Sequence, residues 1–124
     1  MISQRVFALS PAVRYVAIYR DGELRLAQRP DLRGASSTES DRYEELLVNP
    51  TLLTLVRQRG DIDCGGARYV LVRYGNFFQL VYAVTGGHVS VALEPTPDVL
   101  HIVDQIEETL RAAGITLLLD DFGA

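Results

Sequence analysis

Apolar positions recur along this chain in short runs of period two and longer runs of period three to four, and pairs of turn-forming residues separate them. Residues 13–19 are β-branched and aromatic, Asp21 and Gly22 follow, and residues 24–28 resume the alternation. Both central positions of a type I′ turn need positive φ, which Gly supplies freely and Asp tolerates, so the two runs are expected to pair as a hairpin. Residues 29–37 read as a polar loop. Ser36, Ser37 and Thr38 then offer capping oxygens, Glu39 and Asp41 place negative charge in a first turn, and Tyr43, Leu46 and Leu47 carry helical spacing, which predicts a helix from near Thr38. Asn49 and Pro50 predict a kink or restart, with Asn49 as a fresh N-cap and Pro50 in the first turn, and Gly60 is expected to end the second segment after Arg59.

Leu52, Leu53, Leu55 and Val56 cover more of that short segment than the single stripe a sheet-covering helix needs. The surplus faces either a partner or a second layer of the same domain, and the sequence leaves both open. Three strands are expected at residues 68–74, 77–84 and 88–93, with turns at Gly75 and Asn76 and at Gly86 and Gly87. The middle strand is apolar on both faces, so helices should cover both sides of the sheet. A last helix follows, capped by Thr96, begun by Pro97 and ended before Gly114, with Val99, Ile102, Val103, Ile106 and Leu110 on one stripe. Burying that stripe contributes on the order of 10 kcal/mol before entropy. The order ββαβββα predicts an α+β sandwich around a five-stranded, mainly antiparallel sheet.

A length of 124 residues at 48% hydrophobic content allows one core, so residues 1–124 should form a single domain with its centre at 11–114. Arg5, Pro11 and Arg14 interrupt any leader-like apolar stretch, no run approaches the ~20 residues that span a bilayer, and Cys64 has no second cysteine, which together predict a soluble cytoplasmic protein. All 12 basic residues are Arg. Without Lys, neither a P-loop nor a Schiff-base mechanism is open to the chain. From Glu94 onward Arg111 is the only basic residue among many acids, and the pI of about 5.1 argues against nucleic acid as ligand.

Candidate chemistry is sparse. Asp61, Asp63, Cys64, Gly65 and Gly66 resemble the start of a calcium loop, but Gly65 and Val72 occupy positions where that loop needs oxygen ligands. A helix-to-strand loop with a small half-buried thiol is the expectation. His101, Asp104 and Glu108 share a helix face at metal-compatible spacing, and a solvated face accounts for them. His88 lies beside two glycines and is expected to be a loop histidine. Tyr15, Tyr19, Tyr69, Tyr74 and Tyr82 fit core or interface packing, or the lining of a ligand pocket. No catalytic residue, cofactor or metal ligand is assigned.

The segment PAVRYVAIYRDGELRLAQ resembles the first hairpin of roadblock domains, and the helix from Thr38, the hairpin RYVLVRYGNFFQLVYAV, the strand GGHVSVAL and the closing helix keep that family's order over residues 11–114. The related longin and profilin folds share much of this layout. The resemblance implies a non-enzymatic, homodimeric scaffold that regulates or anchors a partner such as a small GTPase. It maps the dimer contact onto the strand after the central helix and onto that helix, naming Leu52, Leu53, Leu55, Val56, Arg68, Tyr69, Leu71 and Arg73. Leu71→Arg is then expected to dissociate the dimer and leave the domain folded. Two departures qualify this. The family's long first helix shrinks to a turn within residues 1–10, which leaves one sheet face under-covered, and residues 115–122 add an apolar run that forms either an extra strand or an arm. The competing expectation is a small-molecule sensor with a pocket between sheet and helix.

Overall fold

A computed structural model describes residues 1–30 and 37–118. Its elements are α1 (Ile2–Phe7), β1 (Val13–Arg20), β2 (Glu23–Gln28), α2 (Thr38–Tyr43), a π-helical turn (Glu44–Val48), α3 (Asn49–Asp63), β3 (Val70–Arg73), β4 (Phe78–Val84), β5 (Gly87–Leu93) and α4 (Val99–Ala112). The five strands form one sheet in the order β2-β1-β5-β4-β3, with every neighbour antiparallel. Helices lie on both faces, α1 and α4 on one and α2 through α3 on the other, which is the expected α+β sandwich.

The first hairpin forms as its turn residues predict. Asp21 and Gly22 have φ of 53° and 80°, and Arg20 pairs with Glu23 across the turn. The second turn differs by one residue. Thr85 and Gly86 make it, Gly86 with φ of 85°, and Gly87 already belongs to β5. A Cβ at Gly87 would sit 1.8 Å from the carbonyl oxygen of Tyr19, so only glycine lets β5 close against β1 there. Because β5 starts at Gly87, His88 is a buried sheet residue and not the loop histidine expected from its glycine neighbours.

The central helix also departs from expectation. Ser37 caps it, its Oγ accepting from the Ser40 N–H at 3.1 Å. No break follows at Asn49, whose dihedrals are helical, because the wider π turn directly before it absorbs the mismatch that Pro50 introduces. Gly60 does not end α3. It is buried where a Cβ would meet backbone atoms of Gly66 and Ala67 at 2.9 Å, so its role is close approach of the returning chain. Asp61 and Asp63 therefore stand in the last helical turn, and Gly65 and Gly66, with φ near 80°, make the reversal. Cys64 is exposed, not half-buried.

The α4 face holds the main core. Ile102, Val103, Ile106 and Leu110 pack on Val16, Leu80, Val89, Val91 and Leu93, with Val6 of α1 filling one end. α4 starts at Val99, two residues later than Thr96 and Pro97 predict, with Thr96 turned to accept the Asp98 N–H. Its end is a Schellman motif: Gly114 donates to Arg111 O at 3.0 Å, Ile115 donates to Leu110 O at 3.0 Å, and both Leu110 and Ile115 are buried. Beyond it Leu117 is buried and forms an isolated bridge with Val84, and Thr85 donates to Thr116 O. The expected extra strand is a single bridge among the described residues, and residues 119–122 of the predicted run lie outside them. Arg29 ties the amino-terminal segment down by donating to the carbonyls of Val13, Phe7 and Ser10. No helix among the described residues is long and apolar enough to cross a membrane.

Candidate functional site

The α2–α3 face is built on a carboxylate. Glu45, on the π turn, is fully buried and accepts hydrogen bonds from Tyr15 Oη at 2.7 Å, Ser90 Oγ at 2.7 Å, His88 Nε2 at 2.8 Å and Asn49 Nδ2 at 3.0 Å. Strands β1 and β5 lie side by side, so the period-two alternation that sends Val89 and Val91 to the main core sends His88 and Ser90 to this face, beside Tyr15. The helix side is a series at i, i+4, namely Asp41, Glu45, Asn49 and Leu53. In a regular α-helix such a series drifts around the axis, and the π turn keeps it pointed at the sheet.

The electrostatics follow from the donors. Burial alone would push the Glu45 carboxyl up, but the hydrogen bonds from His88, Ser90 and Tyr15 and the attraction of His88 outweigh it and leave the group below the usual carboxylate range. An ionised carboxylate only accepts, so the His88 nitrogen facing it carries the proton, and Asn49 must turn its amide nitrogen inward. Burial and the Glu45 charge raise the Tyr15 hydroxyl far above its ordinary value, so it stays a donor. His88 stacks flat on Tyr19, with ring centroids 5.6 Å apart. Two buried amide atoms remain without a protein partner among the described residues, Asn49 Oδ1 and Gln79 Nε2. Next to the network, Asp41 is raised by burial and by Glu45. Glu44 is raised by burial, against the opposing hydrogen bond from Tyr74. Tyr74 Oη donates to Glu44 at 2.9 Å and is itself pushed up to about 12 by burial and by that carboxylate.

Chemically, this arrangement fixes a negative charge between helix and sheet. Ser90 bonds the carboxylate and not the imidazole, and Glu45, His88 and Ser90 are at most 2% exposed, so the three do not present an activated nucleophile to solvent. Among the described residues no group of three or more His, Cys, Asp or Glu side chains is arranged to hold a metal ion. His101, Asp104 and Glu108 are exposed on α4.

The residues predicted for the interface are split by the sheet. Leu55 and Val56 are 59% and 38% exposed on α3, Leu52 is half-buried and Leu53 is buried. Tyr69 and Leu71 lie on the opposite face, packed against the main core, Tyr69 beside Tyr82. Arg68 pairs with Glu107 of α4 at 2.7 Å, and Arg73 sits 5.0 Å over the Phe78 ring. The α3 side of β3 is therefore carried by Val70 and Val72. β3 spans four residues where the sequence predicts seven, and on its outer side no strand pairs among the described residues. Sequence reasoning missed Glu45, His88, Ser90 and Tyr15 as a group. The available signal was confined to the strand, where His88 and Ser90 are two polar residues at alternate positions of an otherwise apolar run.

Comparison with known protein families, with curated proteins and with solved structures finds no match.

Proposed function

We infer that the chain is a non-enzymatic interaction module that works as a homodimer, with the outer face of the central helix and the neighbouring β3 edge as its joining surface. The observation that carries this reading is an apolar face left in solvent: Tyr43, Leu47, Leu55 and Ile62 are each more than half exposed, and Leu46 and Val56 more than a third. Glu45, Asn49 and Leu53 occupy the inward positions of this helix, so Leu46, Leu47 and Leu55 are turned away from the sheet. Isolated exposed leucines need no explanation, but six large apolar side chains on one helix do. A shallow apolar concavity of about 350 Å³, lined by Leu55, Val56, Arg59, Gly60, Cys64, Gly66 and Ala67, adds a receptor for a protruding side chain at the end next to β3. Resemblance to roadblock domains favours the same surface and a small GTPase or another signalling protein as the further partner.

The short β3 and the bridge from Leu117 to Val84 modify the expected contact. Edge pairing would involve only Val70–Arg73, so α3 supplies most of the buried area. Leu71 contacts the main core, and Leu71→Arg would damage the fold together with the interface. Leu55→Arg is the cleaner probe. Sedimentation at micromolar concentration should show twice the chain mass for the wild type and the single mass for Leu55→Arg with unchanged circular dichroism, and a wild-type monomer sinks the reading.

A second reading is favoured by a groove of about 730 Å³ between α1 and the β1–β2 hairpin, where the short first helix leaves the sheet under-covered. Ile2, Phe7, Ile18 and Leu26 line it together with Arg20, Asp21, Glu23 and Arg25, a mixed lining suited to a small amphipathic molecule. Thermal stabilisation by such a ligand in a metabolite screen, lost in Ile18→Arg, supports a sensor, and a flat screen removes it.

A further inference from the structure

The geometry points to the Glu45 network as an acid-released latch: while this carboxylate is ionised it clamps the α2–α3 helix to the sheet, and its protonation frees that helix as a unit before the rest of the domain unfolds. This goes beyond the joining surface proposed above and does not depend on it, since it concerns how the helix is held and not what covers its outer side.

Three observations support a latch over ordinary packing. First, apolar cover beneath the helix is thinner than on the other face: the buried apolar side chains here are Tyr15, Ala17, Val81 and Ala92 on the sheet and Leu53 on α3. Second, the four donors to Glu45 come from β1, β5 and the helix itself, so one side chain joins all three elements. Third, the site sits on a π turn, an element that interrupts regular helix and that converts to a regular turn by a one-residue shift of register. The network is all acceptor on one side and all donor on the other. Adding a proton to Glu45 removes the charge-assisted part of every bond in the ring, and the new hydroxyl finds an acceptor only when the Tyr15 or Ser90 hydroxyl rotates or the Asn49 amide turns over to present Oδ1.

The neighbouring charges set the order of events on acidification. Asp41 and Glu44 stand beside Glu45 on the helix; Glu44 is raised and Glu45 lowered from the same ordinary value, so Glu44 takes up its proton first and removes like charge from the vicinity, and Asp41 is raised in the same direction. From the sheet, Tyr15 and Ser90 donate throughout. His88, stacked on Tyr19, donates through Nε2. Glu45 is depressed, so its contribution persists down to its unfolded value near 4.5 and is lost as the pH falls through its lower folded value. The helix should thus hold on mild acidification and then let go.

The test is segment-resolved hydrogen exchange of the full chain from neutral pH to about pH 3, corrected for intrinsic rates, with Glu45→Gln and Ser90→Ala alongside. In the wild type, residues 38–63 should lose protection at a higher pH than the sheet and α4. Glu45→Gln should show the same selective loss at neutral pH, by about tenfold or more in rate. Ser90→Ala removes one donor and so raises the Glu45 carboxyl, which should move the release to higher pH in a fully folded protein. It decides the matter if Glu45→Gln does not fold. Helix and sheet losing protection in a single step, or a Ser90→Ala threshold equal to that of the wild type, overturns the proposal.

Discussion

The two faces of the sheet are held by opposite means. Toward α1 and α4, fifteen apolar side chains among the described residues form a continuous cluster, each at most 6% exposed. Toward α2 and α3 the buried cluster contains three, and a four-donor carboxylate takes the place of the missing area. Apolar packing is strong but tolerant of small shifts, because area is nondirectional. A buried carboxylate is a weaker net source of stability and a stricter specifier of register, since any slip leaves donors unpaired. One consequence is visible on the surface: a helix fixed through Glu45 and Asn49 does not need Leu46, Leu47 and Leu55, and they remain exposed for another use.

Tyrosine links both layers and shows the same contrast. On the main-core side Tyr82 Oη donates to Glu107, which also receives Arg68 and Arg111 and is partly exposed, so water can replace any one bond. On the other side Tyr15 Oη reaches a Glu45 with no exposed surface. Ile106→Asp tests the main-core side and should have the largest effect. Ile106 is wholly buried, and an unpaired charge there costs about 4 kcal/mol or more, a large part of a stability of about 5–15 kcal/mol. Circular dichroism should find the variant unfolded at room temperature, and a cooperative melt near the wild-type value would refute the assignment of this face as the stabilising core.

On the other face Glu45→Ala should cost about 3–5 kcal/mol, because it strands four buried donors, whereas Tyr15→Phe should cost about 2 kcal/mol. The informative quantity is their combination. With the carboxylate gone the Tyr15 hydroxyl has nothing to bond, so the double variant should fall short of the summed losses by more than about 0.5 kcal/mol in denaturant titrations. Strict additivity would mean that the two side chains do not share a network. The pH dependence belongs to the same comparison. A depressed carboxyl stabilises above its unfolded value near 4.5 and loses that contribution as the pH falls, so wild-type stability should drop below about pH 4.5 more steeply than that of Glu45→Leu.

The main-core side was legible in the sequence and the other was not, for a physical reason. Periodicity reports burial of apolar area, so the α4 stripe, the strands and the turn at Asp21 and Gly22 could all be read with small errors at their ends. The Glu45 network has no period. It assembles from residues 15, 45, 49, 88 and 90 only after the sheet sets β1 beside β5, and the π turn that aims it is invisible to a helical template of 3.6 residues per turn. Pro50 predicts a kink or restart because proline clashes with the carbonyl four residues earlier, and the wide turn preceding it is how the chain avoids that clash. His88 was misplaced because two adjacent glycines look like a turn, although the second is there for close strand approach.

The smallest expected change in stability is also the sharpest test of what the exposed leucines are for. Leu55 contributes to neither buried cluster, so Leu55→Ser should alter the unfolding free energy of the isolated chain by no more than about 0.5 kcal/mol. If its side chain instead fills the concavity of a second copy, the same substitution should weaken self-association by about tenfold or more, as truncations at interface centres do. Denaturation midpoints measured over a range of protein concentrations separate the two contributions, since only the associating form gains stability with concentration. A wild-type midpoint that climbs with concentration, and a Leu55→Ser midpoint that does not, assigns the unburied half of this helix to association. Two flat, coincident series would mean that the face serves neither folding nor self-association, and the contrast between the layers would then concern stability alone.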